Sequence, residues 1–175
     1  MKETVNLPEA VDAEYKDEVL KLSQNGTEVE KELSHARVQV EVKDDEIEIS
    51  TETDKRNVTS IVKSFRSHVQ NMVKGLENPH KYELKAVYAH FPMTLKKEGN
   101  TVKVENFMGE RKPREAEIMD NAEVQIDGEE ITVTSPSKEA ASQTAARIEQ
   151  LSKKGNRDPR TFQDGIYITN VEDEQ

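Results

Sequence analysis

The stretch VEVKDDEIEIS (40–50) recurs as VQIDGEEITVT (124–134), 84 residues further along the chain. Val40 falls on Val124, Val42 on Ile126, Ile47 on Ile131, Ile49 on Val133 and Ser50 on Thr134. In both copies apolar and polar residues alternate on either side of a short tip, KDDE in the first and DGEE in the second. Alternation with period two gathers the apolar members on one face of a strand, and a tip of this length closes a hairpin. The same offset sets Leu7-Pro8 on Phe91-Pro92 and Val11 on Leu95, and a helical pattern follows each hairpin. The shared proline and common order of elements predict a duplicated chain.

The first helix is predicted from Lys55 to Gly75, with Asp54 as its cap and Gly75 as its stop. Val58, Ile61, Val62, Phe65, Val69, Met72 and Val73 recur there at helical spacing as one apolar stripe. Lys55, Arg56, Lys63, Arg66 and Lys74 lie off that stripe, and no acid occurs between residues 55 and 76. Such a face serves either as plain solvated surface or as a contact for phosphate or an acidic partner. The second helix is predicted to open in SPSKEAASQTAARIEQL, capped by Ser135 with Pro136 in the first helical position. Ala141, Ala145, Ile148 and Leu151, flanked by Ala140 and Thr144, form a small-residue face that lets this helix lie close on a sheet. Between the helices three or four strands are expected, with a hairpin turn at EGN (98–100) and a looser loop at GERKP (109–113). The expected fold is α+β, two tandem duplicated domains, each an antiparallel or mixed β-sheet packed against one main α-helix. Their bounds are 1–78 and 79–175, divided at Asn78-Pro79.

Of the 175 residues, 33% are hydrophobic and 34% charged, which favours two modest cores over one large one. The absence of Cys excludes a disulfide framework and a thiolate metal site and suits a reducing cytosol. No apolar run approaches the roughly 20 residues of a membrane helix, and MKETVNLPEAVD lacks a signal-peptide core. A cytoplasmic protein without membrane contact is expected. Its net charge of −10 argues against nucleic acid until its distribution is considered. Residues 1–54 hold 16 acids and 6 bases, whereas residues 55–175 hold 19 of each. The excess charge is thus confined to the first third, leaving the remainder free to carry basic patches.

Signals for catalysis are poor. His35, His68, His80 and His90 are scattered, no glycine-rich phosphate loop is present, and the acidic pairs fall in hairpin tips. No catalytic residue, metal ligand, cofactor or small-molecule substrate is expected. Two loops stand out instead. NFMGERKPR (106–114) sets Arg111, Lys112 and Arg114 beside Phe107, and serves either as an RNA contact or as an ordinary exposed loop. The second runs from Lys153 to Thr161, where Lys153, Lys154, Arg157 and Arg160 face a single acid, Asp158. Gly155, Asn156 and Pro159 deny this segment a helix, so its backbone amides are expected to be free for phosphate oxygens. Arginine offers phosphate a bidentate fork, and Phe162 or Tyr167 offers a splayed base a stacking surface. A second reading makes Phe162, Ile166 and Ile168 core residues of a final strand, and the two readings are compatible.

Five stretches carry a further reading: FRSHVQNMVKGL (65–76), YAHFPMTL (88–95), VENFMGERKPR (104–114), QTAARIEQL (143–151) and RDPRTFQDGIYIT (157–169). In these, and in their order, the chain resembles the archaeal type of large-subunit ribosomal protein six. The resemblance implies two duplicated domains and binding to 23S rRNA near the sarcin–ricin loop, at the base of the factor-binding stalk. Neighbouring large-subunit proteins would be its other partners, with translation factors docking nearby. The family's main rRNA contact lies in the second domain and its C-terminal loop, which carries over onto Lys153, Lys154, Arg157, Arg160 and FQDGIYIT. Bacterial relatives are more basic there; Gln163-Asp164 and the VEDEQ tail depart from that pattern. The acidic first domain departs from a basic ribosomal stereotype and reads as a solvent-facing half suited to a salty cytosol. The rival from a different class is a protein-binding adaptor that uses its acidic N-terminal face.

Overall fold

The repeated stretch folds as an antiparallel hairpin in both copies. Val40 stands opposite Ile49 and Val42 opposite Ile47 in the first; Val124 stands opposite Val133 and Ile126 opposite Ile131 in the second. The 84-residue offset therefore carries each cross-strand pair of the first hairpin onto a pair of the second. The Lys43 amide donates to the Glu46 carbonyl at 2.8 Å to close the first tip. Gly128 occupies the first central position of the second at φ +60°, a conformation favoured in two-residue hairpin turns that glycine adopts without strain.

A computed structural model describes residues 1–153, 158 and 160–172. The chain divides into Met1–Asn78 and Pro79–Gln175. The first unit contains β1 (Lys2–Asn6), β2 (Asp12–Lys16), β3 (Val19–Gln24), β4 (Thr27–Glu32), β5 (Gln39–Val42), β6 (Glu46–Ser50) and α1 (Arg56–Glu77). The second contains β7 (His80–Val87), β8 (Thr94–Glu98), β9 (Thr101–Glu105), β10 (Arg114–Glu117), β11 (Glu123–Asp127), β12 (Glu130–Ser135), α2 (Lys138–Leu151) and β13 (Gly165–Glu172). Every pairing among these strands is antiparallel.

Strand order repeats as well. β6 lies between β1 and β5, just as β12 lies between β7 and β11; β3 lies between β2 and β4, just as β9 lies between β8 and β10. The second unit alone adds β13, on the outer edge of β7. Each unit is thus α+β, with two antiparallel sheets and one long helix among the described residues.

In the first unit, Leu20, Leu22, Val29, Ile47 and Ile49 pack with Val62, Val69 and Met72 of α1. In the second, Leu84, Val102, Val104, Ile131, Val133 and Ile166 pack with Ala141, Ala145 and Ile148 of α2. Burying one aliphatic side chain of this size contributes about 1.5–3 kcal/mol. Alternation sends the acids the other way. Glu14 stands opposite Lys21, which stands opposite Glu30, on the face of β2–β4 turned from Leu20, Leu22 and Val29. At the flank of α1, Arg66 donates to Glu3 of β1 at 2.9 Å.

Both helices depart from expectation at their ends. Lys55, not Asp54, occupies the N-cap of α1, and it makes no side-chain cap to the first turn. Gly75 does not stop the helix; it is buried within it, and the helix continues to Glu77. Pro79 disfavours helical geometry at the preceding residue, and Asn78 is extended at φ −136°. α2 begins after Ser137, whose Oγ accepts from the Ala140 amide at 3.3 Å. Ser135 is instead the last residue of β12, opposite His80, and its hydroxyl donates to the Asn121 carbonyl at 2.7 Å. The ladder with β7 holds Ser135 in the strand, and α2 starts at Lys138, two residues after the expected first helical position at Pro136. No helix among the described residues is long and apolar enough to cross a membrane.

The uncapped start of α1 makes a prediction. Lys55→Asp supplies a capping oxygen and complements the positive end of the helix dipole, so thermal unfolding should show a gain of about 0.5–1 kcal/mol. An unchanged or lowered melting temperature contradicts this.

Candidate nucleic-acid interface

Three segments of the second unit meet beside the end of α2. The first is the loop from β9 to β10. Asn106 and Met108 take left-handed conformations in it, at φ 60° and 50°, and Gly109 lies at φ 78°. These bends turn the chain over Phe107, which is buried. Arg114 stacks over the Phe107 ring with its guanidinium carbon 4.4 Å from the centroid. Its Nε and Nη2 donate to the two Glu110 carboxylate oxygens at 2.8 and 2.7 Å, and Nη1 donates to the Leu151 carbonyl. That carbonyl lies in the last turn of α2, where helix geometry leaves it without an intrahelical partner. Arg114 therefore ties the loop to the helix, while Arg111 and Lys112 stand exposed.

The segment 88–92 lies beside this loop. Asn106 Nδ2 donates to the Pro92 carbonyl at 3.0 Å, and a Cβ on Gly109 would stand 3.3 Å from Cε1 of Phe91. Phe91 keeps 43% of its surface exposed even so. On its other side the segment meets the loop before β13. Asp164 is buried, with Oδ1 accepting from the Ala89 amide at 3.2 Å and lying 4.0 Å from Nδ1 of His90.

The third segment is that loop and the strand it leads into. The Thr161 and Phe162 amides donate to the Asp158 carbonyl at 3.0 and 2.9 Å, and the Arg160 amide donates to the Asp158 carboxylate at 2.9 Å. The expectation of free amides therefore fails at these positions, because a tight turn about Asp158 already uses them. The Arg160 side chain is exposed, with its Nε donating to Asp158 Oδ1 at 3.3 Å, and Phe162 is 39% exposed. Beyond the turn, β13 behaves as a core strand, with Ile166 buried and Ile168 packed against the core.

The end of α2 anchors β13. Ser152 Oγ accepts from the Ile166 amide at 3.0 Å, and Glu149 Oε1 accepts from the Ile168 amide at 3.2 Å. Glu149 Oε2 takes the Lys153 ammonium at 2.6 Å. That ammonium, aided by the Ile168 N–H, holds the Glu149 carboxyl below the usual carboxylate range. A groove of about 500 Å³ between β10 and α2 adds Arg147 to the basic groups of this region.

Of the residues singled out in the sequence, Arg111, Lys112, Arg160 and Phe162 are exposed on loops flanking 88–92. Arg114, Lys153 and Arg160 have acidic partners, Glu110, Glu149 and Asp158. Lys154 and Arg157 lie outside the described residues. Sequence reasoning gave no functional weight to Phe91. The signal lay in the repeat itself: Leu7, its counterpart, is partly buried against the first core, whereas Phe91 is an exposed aromatic at the matching position.

Residues 91–165, from Phe91 to the first residue of β13, match the family model of ribosomal protein L6. The chain is 38% identical over 168 residues to the large ribosomal subunit protein uL6 of Methanococcus vannielii, covering 96% of this chain and 92% of that one. It is 39% identical over 165 residues to uL6 of Haloarcula marismortui, covering 94% and 93%. Against uL6 of Methanosarcina mazei it is 38% identical over 165 residues, covering 94% of each.

The lowered Glu149 pKa gives a signed pH dependence. The bonds to the carboxylate stabilise the fold above the ordinary carboxylate pKa of about 4.3, and are lost as pH falls through the lower folded value. Thermal unfolding should show wild type more stable than Glu149→Gln near neutral pH, the gap closing in acid. A gap independent of pH contradicts the anchoring role of the charge.

Proposed function

Because the chain belongs to the ribosomal protein L6 family, and so is a non-catalytic constituent of the large ribosomal subunit, we propose that its second unit grips 23S rRNA through the loops around Phe91. The observation that carries this reading is the placement of Arg111, Lys112 and Arg160, exposed on two loops that both pack on segment 88–92, with Phe91 and Phe162 exposed beside them. Arginine and lysine neutralise phosphates and release counterions, while exposed aromatics take unstacked bases. Arg114 acts by holding the 106–113 loop rather than by reaching outward, since its guanidinium is committed to Glu110 and Leu151. Lys153 reaches phosphate by exchanging its bond to Glu149, and Lys154 and Arg157 extend the same basic segment.

The rRNA site is the region of the sarcin–ricin loop at the base of the factor-binding stalk, the position that the family resemblance implies. There the protein acts as a brace on the cytoplasmic ribosome: it fixes rRNA helices beside neighbouring ribosomal proteins and close to docking translation factors. The adaptor reading gains no observation beyond the acidity of the first unit.

Salt dependence tests this directly. For the full chain on a large-subunit rRNA fragment containing the sarcin–ricin loop, Arg111→Gln/Lys112→Gln/Arg160→Gln should weaken binding roughly tenfold or more. The slope of log affinity against log salt should fall by about 2–3, close to one phosphate contact per base. Unchanged affinity and slope would place the contact elsewhere.

A further inference from the structure

α1 turns Val62, Val69 and Met72 into the core of the first unit. Its opposite face is a single line of Arg56, Ser60, Lys63, Ser67, Gln70 and Lys74, spaced alternately four and three residues apart. At 1.5 Å per residue, Arg56 and Lys74 stand about 27 Å apart along the axis. All three cations are exposed, and none forms an ion pair with a carboxylate among the described residues. Several other cations of this unit are paired: Lys2 holds Glu48 at 2.8 Å, Lys21 holds Glu28 at 2.6 Å and Arg66 holds Glu3 at 2.9 Å. In a unit with 16 acids before residue 55, these three cations form a line along one helix face that is clear of acids, and the first acid on the helix is Glu77 at its far end.

The chemistry of the face distinguishes the possible partners. A protein interface draws its energy from buried aromatic and aliphatic anchors, and this line has none. It consists of cations, an amide and two small hydroxyl side chains. The Ser60 and Ser67 hydroxyls donate to the Arg56 and Lys63 carbonyls of their own helix, at 2.7 and 3.1 Å, leaving their oxygens as acceptors for a ribose hydroxyl. Small side chains between the cations also let a backbone approach closely. We propose that the outer face of α1 is a second RNA-binding surface, lying along a sugar–phosphate backbone without reading base sequence. The acids elsewhere on the unit repel RNA and so confine it to this face. The identity of the ligand rests on the ribosomal reading above, but the surface is separate from the loops of the second unit.

The test uses the full chain with Arg56→Gln/Lys63→Gln/Lys74→Gln, since glutamine preserves helix propensity and circular dichroism checks the fold. On large-subunit rRNA fragments, binding at low salt should weaken roughly tenfold and the log–log salt slope should fall by about 2–3. A hydroxyl-radical footprint should lose protection in a segment different from the one lost with the second-unit variant. Arg56→Lys/Lys63→Arg/Lys74→Arg should keep the wild-type slope. Unchanged slope and footprint, with the second-unit variant still impaired, would overturn this surface and leave the proposed function standing. Loss of polyglutamate binding without loss of rRNA binding would also overturn it, in favour of an acidic protein partner.

Discussion

A slip of one residue in either repeated hairpin would turn Ile47 and Ile49, or Ile131 and Val133, out of the core and bring their charged or polar neighbours in. All four are fully buried, so the rest of each unit depends on this register. It decides which side of the sheet the following helix can cover. It also decides where the charge goes. In the first unit the acids occupy alternate positions, so the alternation that builds the core also carries them to solvent. A chain with a net charge of −10 can therefore fold around two ordinary apolar cores and still keep basic surface elsewhere.

On this shared scaffold the second unit has changed its edges. β13 extends its sheet past β7, and the end of α2 fastens the new strand through Ser152 and Glu149. The nearby loops are held by interactions that the first repeat has no residues to make: Arg114 on Phe107 and Leu151, and Asp164 on the Ala89 amide. The two units thus differ in their edges and loops while the strand order stayed the same. The first unit kept its shorter sheet and carries a line of unpaired cations on a helix face.

Local periodicity made the hairpins, the alanine face of α2 and the two-unit fold legible, since each needs only residues a few positions apart. The helix starts were not legible at that range. Asp54 and Ser135 are suitable capping types, but pairing of β12 with β7 holds Ser135 in a strand, and α1 begins one residue beyond the reach of an Asp54 cap. Arg114 sits in sequence with Arg111 and Lys112, yet it turns towards the carbonyl of Leu151, 37 residues away. Asp164 is buried through a bond to Ala89, 75 residues away. Such partners are set by the closed fold, not by neighbours in the chain. The exposed positions of Arg111, Lys112, Arg160 and Phe162 follow from loops whose composition already marked them, although the turn at Asp158 uses the amides that composition left open.

Gradient sedimentation of cell extract, with and without ribonuclease, tests the central claim most directly. The protein should travel with the large ribosomal subunit and be released when the RNA is digested. Migration as a small free species, or in a complex that ribonuclease leaves intact, would contradict it.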